Sequence, residues 1–264
     1  MAPAIEAPNG TNGHHGHQDS ERIVTVLVTG FGPFQDKFPV NPSFEITKSL
    51  PESLPPSSRF SKTEIRIIPY SSAIRVCYDE VLQLVPKLHD GYAATIDLVL
   101  HIGMASGRKF YCAERYGHRD GYQKNKDLDG ITPPIDQGPT MFPDCPSTMT
   151  TSLDYMHLLQ NWAENIASLP ETSPAIDADI RPSEDAGRYL CDYTYFNSLA
   201  YFGRRSGVME GGDQQSRPVL FLHVPAESDG VMIEKGREVC EALIAAMVET
   251  YLGQEKEAGQ KVDL

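Results

Sequence analysis

The sequence predicts an α/β fold of three layers, α/β/α, with an open, mostly parallel sheet in a single domain. Three observations predict it. Short apolar runs rich in β-branched residues recur at 23–28, 63–68, 96–102 and 219–225, and most lack the polar alternation of a sheet with one wet face. Between them lie stretches whose apolar residues repeat at helical spacing. Two runs end in glycine-bearing loops, Gly30-Phe31-Gly32 and Gly103-Met104-Ala105-Ser106-Gly107, at what would be the carboxyl edge of such a sheet, where ligands bind. With 264 residues, 40% of them hydrophobic and 22% charged, there is material for one core and too little for two.

In chain order, residues 1–21 are rich in Ala, Pro, Gly, Asn and His without apolar period, and read as a disordered tail before a domain spanning 22–253. The first strand, 23–28, runs into Thr29-Gly30-Phe31-Gly32-Pro33-Phe34. Pro33 and Phe34 stand where a dinucleotide fingerprint would open a helix, so no nucleotide site is expected. Phe31 and Phe34, exposed in a glycine loop, suit a flat, weakly polar ligand. Asn41-Pro42 reads as a cap with proline at the first helical position, starting a helix to about Leu50. A Pro- and Ser-rich surface loop at 51–61, a strand at 63–68 and a helix at 73–84 with Cys77 on its core face follow. After the 96–102 strand, residues 108–122 interleave charges with aromatics at no helical period, and composition alone makes Glu114 an ordinary surface carboxylate. Residues 127–143 are too rich in Pro, Gly and Asp for regular structure. A helix at 152–167 should face inward through Leu153, Met156, Leu159, Trp162 and Ile166. A short strand near 175–180 leads to a helix beginning at Cys191, and 206–216 reads as a mobile polar insertion. The 219–225 strand places His223 at its carboxyl end. Ser228-Asp229 caps a long final helix whose core face includes Cys240, and 254–264 is a polar tail.

The net charge of −13 and pI near 5.0 argue against nucleic acid or an anionic membrane as partner and favour a small neutral or cationic ligand. No apolar run reaches the roughly 18 residues that span a bilayer, and no signal-peptide pattern opens the chain. The expectation is a soluble, cytoplasmic protein. Five cysteines, an odd number without C-x-x-C pairs, suggest neither a disulfide framework nor a zinc site.

Two residues carry chemistry at the carboxyl edge. A thiol at a helix N-terminus, as Cys191 would be, feels unsatisfied N–H groups that favour thiolate. An imidazole ending a strand, as His223 would, can take its proton. They lie 32 positions apart. Taken singly, each has a plainer reading: a lone cysteine is commonly a small buried hydrophobe, and a histidine ending an apolar strand a hydrogen-bonded core residue.

Four motifs in order add a resemblance. Thr29-Gly30-Phe31-Gly32-Pro33-Phe34 with Asn41-Pro42-Ser43 comes first, then Glu114-Arg115 with Gly117-His118 and Gly121-Tyr122. Asp185 through Tyr195 around Cys191 and Leu222-His223-Val224-Pro225 complete it. Together they resemble the pyroglutamyl-peptidase I family of cysteine exopeptidases from about Val24 to Leu252. The resemblance implies Cys191 as nucleophile, His223 as general base, Glu114 as orienting carboxylate, and Phe31, Phe34 and Asn41 around the pyrrolidone ring. It implies small pyroglutamyl peptides as substrates, a thioester intermediate and no metal or organic cofactor. Relatives in bacteria commonly carry glutamine in the loop where this chain has Met104. Oligomeric state is not borrowed from the family. Asp192 sets a negative charge beside the thiol and is expected to point to solvent if the thiolate is to form. The competing readings are a cysteine amidase or glutaminase on another small amide, and an inactive relative that binds pyroglutamyl peptides.

Overall fold

The apolar runs form the middle of a sheet covered on both faces. The computed structural model describes residues 22–34, 38–56 and 62–262; the expected N-terminal tail lies outside them. In chain order the elements are β1 (Val24–Gly30), α1 (Pro42–Ser49), β2 (Ser53–Leu54), β3 (Ile65–Pro69), α2 (Tyr78–Tyr92) and β4 (Leu98–Met104). Next come β5 (Tyr111–Glu114), β6 (Tyr116–His118), the short α3 (Gln137–Met141), β7 (Thr148–Thr150), α4 (Tyr155–Ala167) and β8 (Ile180–Ser183). The chain finishes with α5 (Leu190–Ser206), β9 (Val219–Val224) and α6 (Gly230–Val262).

The seven-stranded sheet has the order β2-β3-β1-β4-β9-β5-β8. Its centre, β3-β1-β4-β9, is parallel, while β2 pairs antiparallel with β3 and β5 antiparallel with β9. The expected mostly parallel α/β sheet is therefore the one observed. Alternate residues feed two cores. Val26, Leu98, Leu100, Leu220 and Leu222 pack towards α1, α4 and α6. Leu27, Val99, Val219 and Phe221 pack towards α2 and α5. Trp162 of α4 is fully buried and donates from Nε1 to Val239 O on α6 at 3.2 Å. Truncating a buried tryptophan of this kind typically costs about 3–5 kcal/mol.

Several local expectations shift. Helix α2 begins at Tyr78 because Ile74 bridges to Phe31, with both its N–H and C=O bonded to the backbone of Gly30 and Gly32 at 2.9 Å. Cys77 is then the extended cap residue of α2, though buried as expected. In α4 Met156 is 67% exposed, and the inward face is Tyr155, Leu158, Trp162 and Ile166. The strand expected near 175–180 forms at β8 instead, and residues 108–122, read as irregular, supply β5 and β6. The 206–216 insertion is tied down by the buried Arg217, whose guanidinium donates to Thr150 O, Val208 O and Gly211 O. Asp229 caps α6 as predicted, and the helix continues through Val262. No helix among the described residues is long and apolar enough to cross a membrane.

Candidate active site

Three elements meet at the carboxyl edge, on the sheet face that α5 covers. Gly187, with φ of +86°, turns the chain out of the β8 loop in the left-handed region that glycine favours. Tyr189 then caps α5 in extended conformation without a side-chain hydrogen bond, so Cys191 is the second residue of the helix. Its first amide N–H groups thus have no side-chain acceptor. Cys191 is partly exposed, whereas Cys77, Cys112, Cys145 and Cys240 are buried. A close approach holds the thiol against the sheet: a Cβ on Gly103 of β4 would lie 2.8 Å from Cys191 Sγ and 2.7 Å from Phe221 Cζ.

His223 lies on β9 beside Cys112 of the antiparallel β5, and Glu114 ends β5 on the same face. His223 Nδ1 donates to Glu114 Oε1 at 2.7 Å. An ionised carboxylate can only accept, so Nδ1 carries the proton and Nε2 is left for another partner. Burial disfavours charge on His223, but the Cys191 sulfur and the Glu114 carboxylate outweigh it and push the imidazole up to about 9. Burial likewise opposes charge on Glu114, yet the His223 imidazole, helped by Arg108, pulls it down to about 2.

Arg108 escapes sequence reasoning. Its Nη1 donates to Glu114 Oε1 at 2.6 Å and to Cys112 Sγ at 2.6 Å, and Nη2 donates to Asp185 O at 3.0 Å. Six residues from Glu114 and separated from it by a loop and a strand, it leaves no periodic signal. Its position also bears on metals. Donor atoms of Cys112, Glu114 and His223 lie within 4.8 Å of one another, but the guanidinium puts a fixed positive charge among them. Burial, ahead of Glu114, pushes the Cys112 thiol up to about 12, so it is a poor ligand at neutral pH.

Asp192 does not point to solvent. It is fully buried, and His118 N and Nδ1 contact Oδ1 at 3.2 and 3.1 Å while Tyr122 OH donates to Oδ2 at 2.8 Å. Arg188 Nη1 stands 3.7 Å from Oδ2. Burial outweighs these partners and raises its pKa. Its contacts with His118, Tyr122 and Arg188 offset the negative charge that Asp192 would otherwise set beside the thiol.

The aromatic loop divides its roles. Phe31 is buried against Phe221, contrary to the exposed ring expected, and Phe34 is half-buried against Tyr189. Asn41 is buried, caps α1 through Ser43 N and donates from Nδ2 to Gly32 O at 2.8 Å. All three nevertheless line one apolar pocket with Val76, Met104, Tyr189 and Cys191. A larger cleft of about 440 Å³ continues past Cys191 and His223 to Arg108 and Lys126. Thus all six residues expected at the site surround these two adjoining cavities or, for Glu114, stand directly behind His223.

A thiol at a helix start beside an imidazole, on an open α/β sheet, defines a hydrolase of the cysteine-peptidase class. The sequence profile of the pyroglutamyl peptidase family matches residues 24–249, and this chain belongs to that family. It is 30% identical to pyroglutamyl-peptidase 1 of Rattus norvegicus over 201 residues, 76% of this chain and 78% of the rat protein. It is 28% identical to the pyrrolidone-carboxylate peptidase of Thermosipho africanus over 210 residues, covering 80% and 85% of the two chains. The fold is that of the pyrrolidone carboxyl peptidase from Thermococcus litoralis, with a TM-score of 0.65 at 18% identity over 88% of this chain and 96% of that one. The Pyrococcus furiosus enzyme gives 0.63 at 19% identity, over 86% and 99%.

Proposed function

We propose that this protein hydrolyses the amide bond after an N-terminal pyroglutamyl residue of peptides, through a thioester on Cys191 with His223 and Glu114 completing a triad. The observation that carries the reading is the 2.7 Å contact between His223 Nδ1 and Glu114 Oε1 beside a partly exposed thiol, in a chain of this family. The pyrrolidone ring occupies the apolar pocket of Phe31, Phe34 and Asn41. Cys191 sulfur attacks the pyroglutamyl carbonyl carbon, and the carbonyl oxygen takes the negative charge. Amide N–H groups at the start of α5 stabilise it, since they have no side-chain cap. Protonated His223 gives its Nε2 proton to the departing amine as the C–N bond breaks. Water, deprotonated by the same nitrogen, then attacks the thioester and releases pyroglutamate and free thiolate. Glu114 holds the imidazole in the required tautomer and stabilises its charge. A nucleophilic thiol of this kind fits the reducing cytoplasm.

Release of fluorophore from pyroglutamyl-coumarylamide, compared with the glutaminyl and prolyl analogues, tests the reading. Turnover of the pyroglutamyl compound, lost in Cys191→Ser with ligand binding retained, is the expected result. Turnover of the glutaminyl or prolyl compound alone would refute it.

A further inference from the structure

The chain carries 36 acidic residues against 23 lysines and arginines, yet the cleft beside the thiol has the opposite character. Arg108, Lys124 and Lys126 line it, and among the described residues that do so there is no aspartate or glutamate. Arg108 is engaged by Glu114, but the ammonium groups of Lys124 and Lys126 are exposed and have no ion pair among the described residues. Their backbone is nonetheless fixed. Tyr189 OH donates to Lys126 O at 3.1 Å, Asn125 Nδ2 to Arg188 O at 3.1 Å, and Tyr78 OH to Asn125 O at 3.1 Å. Three hydrogen bonds thus bind this loop to the segment entering α5 and to α2, and hold two free cations at the rim.

The cleft lies on the leaving-group side of the bond to be broken. His223, which protonates the departing amine, lines the cleft and not the apolar pocket, while Cys191 lines both. A pyroglutamyl peptide has no terminal amine, because its nitrogen is closed into a neutral lactam. A short one with a free C-terminus and no basic side chain is therefore an anion, with its charge on the leaving segment.

We propose that Lys124 and Lys126 form an anion-reading subsite that favours pyroglutamyl peptides carrying a carboxylate on the first two residues after the scissile bond. This rests on the function proposed above. Exposed charges act chiefly on capture, so the preference appears in KM and is screened by salt.

The experiment compares kcat/KM for pyroglutamyl-alanyl-alanine and its C-terminal amide, at about 0.01 M and about 1 M ionic strength. The acid is expected to be favoured about fivefold at low salt, through KM, and to lose most of that advantage at high salt. Lys124→Ala with Lys126→Ala should bring the ratio close to one, while Lys124→Arg with Lys126→Arg should retain it. An acid-to-amide ratio of one in the wild type at low salt would overturn the subsite, as would a ratio unchanged in the double alanine variant. Pyroglutamyl-coumarylamide, whose leaving group is uncharged, separates the two readings. If it is cleaved while the ratio is one, only the subsite fails; if it is not cleaved, the subsite falls with the function.

Discussion

Two buried histidines on adjacent strands of one sheet face have opposite fates. His101 and His223 both point to the α5 side and both touch the ring of Phe221, at centroid distances of 6.4 and 4.9 Å. Among the described residues His101 hydrogen-bonds to two hydroxyls, Thr29 Oγ1 at 2.7 Å and Ser198 Oγ at 2.8 Å, and burial pulls it down to about 3. His223 is buried too, but Cys191 and Glu114 push it up to about 9. Burial disfavours the imidazolium at both places, and a charged neighbour reverses the outcome at one of them. In the mechanism proposed above the second histidine carries the proton, while the first is held between two hydroxyls.

Replacing the carboxylate is the most direct way to erase that difference. Glu114→Gln should lower kcat about 100-fold or more, because the neutral amide no longer stabilises the imidazolium and can turn its NH2 towards Nδ1, which imposes the other tautomer. Removing an anion also lowers the imidazole pKa. In the wild type the rate should fall as pH rises through about 9, where His223 loses the proton the leaving amine needs. In the variant this alkaline limb should move towards the ordinary value of about 6.5, read from a pH–rate profile. A limb that stays in place would mean that Glu114 does not set the charge of His223.

A smaller effect on rate should come from Gly103→Ala, which leaves every charge in place. The added methyl meets Cys191 Sγ and Phe221 Cζ, so the thiol and the Phe221 ring must shift from their places beside His223. Displacements of about 1 Å commonly cost up to about 100-fold, and a loss of at least tenfold in kcat with an unchanged far-ultraviolet spectrum is expected. Full activity would mean the sulfur has room that the close approach denies.

The smallest effect on turnover should follow from altering the other histidine. His101→Leu leaves the Thr29 and Ser198 hydroxyls without their shared partner and should cost about 2 kcal/mol of unfolding free energy, with kcat/KM retained. The pH signs differ as well. His101 has a depressed folded pKa, so its contribution is full above about 6.5 and is lost as pH falls towards about 3. His223 has a raised one, so its contribution is full below about 6.5 and is lost as pH rises through about 9. Denaturant midpoints at pH 7 and pH 4 should therefore converge in His101→Leu relative to wild type. An unaltered gap would assign the acid lability elsewhere, with His89 beside Ser198 the next candidate.

Most of the fold was legible because its signals are local. A strand buried on both faces must be apolar throughout, so β1, β4 and β9 declare themselves, and Asn41-Pro42 and Asp229 mark helix starts through their own chemistry. The helix start at Cys191 and the strand end at His223 were legible for the same reason. Strand β5 was not. Its Glu114 is fully buried, and burial of a carboxylate is tolerable only beside partners such as Arg108, which leaves no periodic signal, and His223, which lies 109 positions away in the chain.

What the sequence determined by itself was the order and type of the main elements and, through its motifs, the residues worth watching. Only the tertiary structure decided that β5 runs antiparallel beside β9, which brings Glu114 to His223, and that Asp192 turns inward to His118, Tyr122 and Arg188. Only it could separate His101 from His223. The physical reason is the same in each case: local pattern reports apolar period, whereas the burial of a polar group and its charge state depend on partners that only long-range packing supplies.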